Sequence, residues 1–151
     1  MNDIDEILTR AKQRATEKAL PYEGALLPAE AYALLKHIPG AILVDVRTQA
    51  EHYWVGRVPG AVAGEWSGYP GGARNPEFRT QLEAVVPKTD LPVMFLCRSG
   101  VRSHHAATLA SQAGYRNCYN VLEGFEGDRD AQGRRNTVGG WRVAGLPWEQ
   151  G

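Results

Sequence analysis

This chain has little cysteine, no surplus of either charge and no long apolar run. Cys97 and Cys118 are its only cysteines in 151 residues. Two cysteines are too few to staple a small disulfide scaffold. Basic and acidic residues number 17 each, for a formal net charge of zero. That balance argues against a general nucleic-acid or membrane-surface binder, while leaving room for a local basic pocket. No stretch approaches the roughly 18 apolar residues of a membrane span. The first residues, Met1-Asn2-Asp3-Ile4-Asp5-Glu6, are acidic and lack the apolar region of a secretory signal. A soluble, cytoplasmic, reducing setting is expected. The histidines His37, His52, His104 and His105 show no pairing with each other or with cysteine at metal-ligand spacing. Adjacent residues on a helix point in different directions, so His104 and His105 do not share a metal. Neither a metal nor a cofactor is expected.

What the chain does have is helix alternating with short apolar runs. Apolar residues Ile4, Ile7, Leu8, Ala11, Ala15 and Ala19 share a face, which predicts a helix over 3–19. Pro21 and Gly24 break it, and Pro28 opens a second helix that ends by Pro39-Gly40. Residues 41–46 and 93–96 are nearly continuous apolar runs, as expected of strands buried on both faces of a parallel sheet. A short helix capped by Thr48 is expected over 48–53, and a short strand near Ala61-Val62. Residues 64–75 are Gly-rich and read as a loop, in which Trp66 and Tyr69 are candidate pocket walls. Further helices are expected over 75–86 and 103–113, and a strand over 118–122. Residues 123–140 read as a polar, Gly-rich segment, with 128–135 as an exposed charged loop. Trp141, Val143, Leu146 and Trp148 are expected to dock on the body. The alternation implies a one-domain α/β sandwich around a mostly parallel sheet, with its site at the carboxyl ends of the strands.

Cys97 falls at such an end. It follows the run Pro92–Leu96 and begins the sequence Cys97-Arg98-Ser99-Gly100-Val101-Arg102-Ser103. Strand, tight loop and helix in that order place the thiol over backbone N–H groups at the positive end of a helix dipole. Arg98 and Arg102 add positive charge, and all three influences favour a thiolate. Gly100 lets the loop close around the sulfur. Ser103 is expected to cap the helix and turn its hydroxyl inward. Cys118 has no such neighbours and reads as a strand residue, with a resolving thiol as the weaker alternative.

These residues resemble the rhodanese-like family of sulfurtransferases. Leu43-Val44-Asp45-Val46-Arg47 is similar to that family's first signature. Glu51 with Gly56-Arg57-Val58-Pro59-Gly60-Ala61 is similar to the second, although Arg57 stands where the family commonly has histidine. Cys97 to Ser103 resembles the active-site loop, and Gly140-Trp141 with Gly145-Leu146-Pro147 resembles the closing segment. The resemblance runs from about residue 24 to residue 148. It implies a three-layer α/β sandwich over 24–151, preceded by a helical extension over 1–23. It also implies that Cys97 is a nucleophile. Cys97 would take the outer sulfur of a donor such as thiosulfate or a persulfide. It would then pass that sulfur to a thiol, to cyanide or to a protein acceptor. Arg98, Ser99, Gly100, Val101, Arg102 and Ser103 would bind the donor, with Asp45 and Arg47 supporting the site. Arg57 receives no catalytic role.

Two other function classes compete. A phosphatase or arsenate reductase on this fold would place arginine six residues after the cysteine, in a larger loop sized for a tetrahedral oxyanion. Here that position is Ser103, and arginine comes one residue earlier. A dedicated sulfur carrier or a regulatory binding module, with little thiosulfate activity, is the nearer alternative.

Overall fold

The computed structural model describes residues 3–151. Helix α1 (Asp3–Glu17) leads into strand β1 (Gly24–Leu26), helix α2 (Pro28–His37) and strand β2 (Ile42–Asp45). Helix α3 (Gln49–Trp54), strand β3 (Val62–Ala63) and helix α4 (Phe78–Val85) follow. Strand β4 (Val93–Leu96), helix α5 (Val101–Gln112) and strand β5 (Cys118–Val121) complete the elements. The five strands form one parallel sheet in the order β1-β5-β4-β2-β3. The expected α/β sandwich is therefore present.

Side chains alternate across a strand, and the sheet uses both faces. Val93, Phe95 and Cys97 pack with Val44, Val46, Phe78, Leu82 and the α5 alanines Ala106, Ala107 and Ala110. Met94 and Leu96 pack on the other face with Leu43, Leu34, Ile7, Ala11, Phe125 and Trp141. Both faces of the central strands are thus covered, which is why β2 and β4 read as unbroken apolar runs. The alanines of α5 let that helix approach the sheet closely.

The structure corrects the sequence reading in several places. α1 stops at Glu17, and Ala19 takes a left-handed φ of 52°. α1 packs on β1 and α2, with Ile7, Ala11 and Ala15 buried. Arg14 and Arg10 of α1 reach Glu30 of α2 at 2.6 and 3.2 Å. Strand β1 was not expected. It has three residues, and a side chain at Gly24 would strike the Ala11 backbone at 2.9 Å. Tyr69 is 75% exposed, whereas half-buried Trp66 packs edge-on to Phe78. Of the four closing apolar residues, Trp141 is buried, Leu146 half-buried, and Trp148, though partly exposed, packs edge-on to Phe125 and against Gly56; Val143 faces solvent. Among the described residues no helix is long and apolar enough to cross a membrane.

Candidate active site

The site starts where β4 ends. Cys97 is only 1% exposed and closes the apolar stripe of β4 facing α5. Three residues later Gly100 takes φ +115° and serves as the N-cap of α5. A left-handed cap of this kind suits glycine, which has no Cβ to clash. The helix therefore starts at Val101, two residues before Ser103, so the expected serine cap is not there. The turn brings the Gly100 N–H to 3.1 Å from Cys97 Sγ. Ser103, buried in the first helical turn, puts its Oγ 3.2 Å from the same sulfur.

Two other segments hold this loop. Asn120 of β5 accepts the Ser103 hydroxyl at 2.6 Å and donates to Gly100 O at 3.1 Å. After β5, the Phe125 N–H donates to Cys97 O at 2.8 Å. The N–H groups of Glu126 and Gly127 donate to Arg98 O at 3.0 and 3.2 Å. A Cβ at Gly124 would lie 2.5 Å from Cys97 O, so only glycine permits this approach. The first part of the segment expected to be a polar loop is thus a clamp on the loop's backbone.

Helix α3 adds charge. Glu51 closes a capping box with Thr48, whose Oγ1 accepts from the Glu51 N–H at 3.2 Å. The same carboxylate takes both Nη atoms of Arg102 at 2.7 and 2.9 Å, a fork that fixes geometry as well as charge. Burial pushes the Glu51 carboxyl up. The Arg102 fork and the Thr48 contacts outweigh it and hold the group at about 2. In return, the hydrogen bond to Glu51 raises the Arg102 pKa.

Asp45 and Arg47 are wholly buried and do not touch the thiol. Asp45 accepts from Arg47 Nε at 3.0 Å and Nη2 at 2.8 Å, and Arg47 Nη2 also reaches Gly56 O at 2.8 Å. His52 Nε2 lies 3.3 Å from Asp45 Oδ1, off the line of a good hydrogen bond. The Arg47 guanidinium sits 4.2 Å from the centre of the Phe125 ring. Its link to the loop therefore runs through Phe125, whose N–H holds the Cys97 carbonyl.

The structure brings Cys97, Gly100 and Ser103 together, with Arg102 alongside in its pair with Glu51. The Arg98 side chain and Val101 face solvent, and Ser99 is half-exposed. Glu51, Asn120 and Phe125 were not expected at the site. Asn120 did carry a signal, as a polar residue in the middle of an apolar strand.

Cys118 plays no part here. Its thiol is pushed up to about 12 by burial in the apolar core, and its sulfur donates to Tyr115 O at 3.6 Å. The register pairs it with Val93, four positions before Cys97, a separation of about 13 Å along the strand. No disulfide spans that distance. Cys118→Ala is therefore expected to leave the alkylation rate of Cys97 by iodoacetamide within about twofold of wild type, followed by intact mass.

Comparison with known proteins places this geometry. The profile of the Rhodanese-like domain matches residues 27–131. The crystal structure of Rv0390 from M. tuberculosis superposes with a TM-score of 0.79 at 44% identity, covering 86% of this chain and 99% of that one. An uncharacterized Rickettsia prowazekii protein, RP600, is 37% identical over 121 residues, 80% of this chain and 92% of its own. A thiosulfate sulfurtransferase, GlpE, from Actinobacillus succinogenes is 30% identical over 124 residues, 82% of this chain and 88% of its own.

Proposed function

This chain belongs to the rhodanese-like domain family, and on that premise we propose that it is a sulfurtransferase working through a persulfide on Cys97. The observation that carries the reading is the cradle of Cys97 Sγ, with the Gly100 N–H at 3.1 Å and the start of α5 beneath it. The Cys97 thiolate attacks the outer sulfur of a donor such as thiosulfate. A new S–S bond forms, the old one breaks, and sulfite leaves with the electron pair. The acceptor then attacks the terminal sulfur. Cyanide leaves as thiocyanate, a thiol leaves as its persulfide, and the Cys97 thiolate returns. No outside oxidant or reductant is needed. The negative terminal sulfur is the species that N–H donors, helix dipole and Arg102 stabilise. Both cysteines are unpaired, which fits the reducing cytoplasm.

The loop length supports sulfur over phosphate. Only Arg98, Ser99 and Gly100 separate Cys97 from the helix, a span that suits one sulfur better than a tetrahedral oxyanion. Intact mass spectrometry tests the proposal. Thiosulfate should add one sulfur to the protein, and cyanide should remove it as thiocyanate. No adduct with thiosulfate or with a persulfide donor would leave a binding module as the better reading.

Arg102 is proposed to act on the donor through its charge, since Glu51 occupies both Nη atoms. Arg102→Ala removes that charge and leaves the Glu51 carboxylate facing an anionic donor. The thiosulfate KM is expected to rise about tenfold, with a smaller fall in kcat. Steady-state kinetics with unchanged KM would place the guanidinium out of the donor's reach.

A further inference from the structure

Asn120 determines where one proton sits beside the reactive sulfur. The Gly100 carbonyl can only accept, so the Asn120 atom 3.1 Å from it is Nδ2. The other amide atom, 2.6 Å from Ser103 Oγ, is then Oδ1, which has no proton to give. The Ser103 hydroxyl hydrogen therefore points at Asn120. Ser103 Oγ shows only lone pairs to Cys97 Sγ, 3.2 Å away. That contact is a hydrogen bond only while the sulfur carries its own hydrogen.

The three states of the sulfur fare differently. A thiol donates to Ser103 and accepts from Gly100. In a persulfide the charge lies on the outer sulfur, so the contact with inner Sγ is not penalised. A bare thiolate meets the Ser103 lone pairs. To relieve this, the hydroxyl must swing off Asn120 and leave a buried amide oxygen unpaired, which is costly. We infer that Asn120 is a positioning residue that aims the Ser103 proton away from Cys97 and so limits the thiolate present between turnovers. Its purpose rests on Cys97 being the sulfur-transfer thiol, but the proton arrangement does not.

The charged groups around the sulfur keep their own partners in the variants that test this. Arg102 is paired with Glu51, and the Arg98 side chain faces solvent. Asp45 is paired with Arg47. Behind Asn120 the Tyr22 hydroxyl interacts with the Asn120 side chain and meets His104 Nδ1 at 2.7 Å, where burial and His105 keep His104 toward its neutral form. The Ser103→Ala background separates any effect of freeing Tyr22 from the effect through Ser103.

The experiment compares wild type, Asn120→Ala, Ser103→Ala and the double variant as full chains. Iodoacetamide rates for Cys97 and the ultraviolet absorbance of the thiolate are followed against pH. Asn120→Ala should react about fivefold faster near neutral pH, the size of one net hydrogen bond. Its thiolate absorbance should appear at lower pH. In the Ser103→Ala background the same change should add less than about twofold, because the effect passes through Ser103. An unchanged or slower Asn120→Ala would overturn the inference. So would equal acceleration without Ser103, since that would mean a loosened loop exposes the sulfur. Should Asn120→Ala not fold, Ser103→Ala alone decides. It should react no more slowly than wild type, and a slower reaction would show the hydroxyl serving the thiolate. Failure of wild type to load sulfur from thiosulfate would remove the transfer reading and leave this comparison intact.

Discussion

Cys97→Ser is expected to lower kcat/KM for thiosulfate:cyanide sulfur transfer by at least about 10³-fold, some 4 kcal/mol of transition-state stabilisation. The size follows from the chemistry. The proposed intermediate is an S–S bond, and an oxygen at this position cannot form it. The substitution changes little else. Residue 97 is 1% exposed, and a serine hydroxyl fits the space between the Gly100 N–H and Ser103 Oγ. Both neighbours can hydrogen-bond to oxygen as readily as to sulfur. Stability should therefore stay within about 1 kcal/mol of wild type. Thermal melting checks the fold, coupled kinetics check turnover, and intact mass should show no added sulfur. Residual transfer above about one per cent of wild type would mean that the sulfur passes by another route.

The loop itself was legible because its information is local. A buried apolar run, a cysteine, a glycine and an alanine-rich helix follow one another within about twenty residues, each with its own backbone preference. β2 and β4 were legible for the same reason. The features missed depend on partners distant in sequence. β1 has three residues, too few to show a period, and exists because its edge pairs with β5. Nothing near Glu51 announces Arg102, 51 residues on, because the two lie on separate helices, α3 and α5, that only the fold brings together. The helix start was misplaced by a local rule. Serine is a favoured cap, yet the chain reverses so sharply after Cys97 that a left-handed glycine takes the position. The clamp at 124–127 hid inside a Gly-rich stretch, where glycine suggested freedom. At Gly124 it instead marks a close approach to the loop.

Asp45→Ala is expected to cost about 3–5 kcal/mol, because it leaves the Arg47 guanidinium buried without its counter-charge. In a chain of this length that is a fall in Tm on the order of 10 °C. The loss arises from the uncompensated charge, and the pair itself contributes much less. Asp45→Ala with Arg47→Leu should therefore be markedly more stable than Asp45→Ala alone, even though Gly56 O loses a donor. pH distinguishes the same cause. Burial pushes the Asp45 carboxyl up, but the hydrogen bonds and charge of Arg47, with the His52 ring close by, outweigh it, so the folded-state pKa lies below the ordinary value of 3.8. The unfolded chain then binds the proton more readily. The stabilisation from Asp45 is complete above the ordinary carboxylate range and is lost as pH falls from there through the depressed folded value. Glu51 acts in the same direction between 4.5 and about 2. Wild type should lose Tm steadily as pH falls through that window. The double variant, lacking the Asp45 share, should show a flatter curve. Curves of equal slope would mean that the Asp45–Arg47 pair contributes nothing to acid sensitivity. Because Phe125 connects Arg47 to the Cys97 carbonyl, the double variant should also lower kcat for sulfur transfer more than it raises KM.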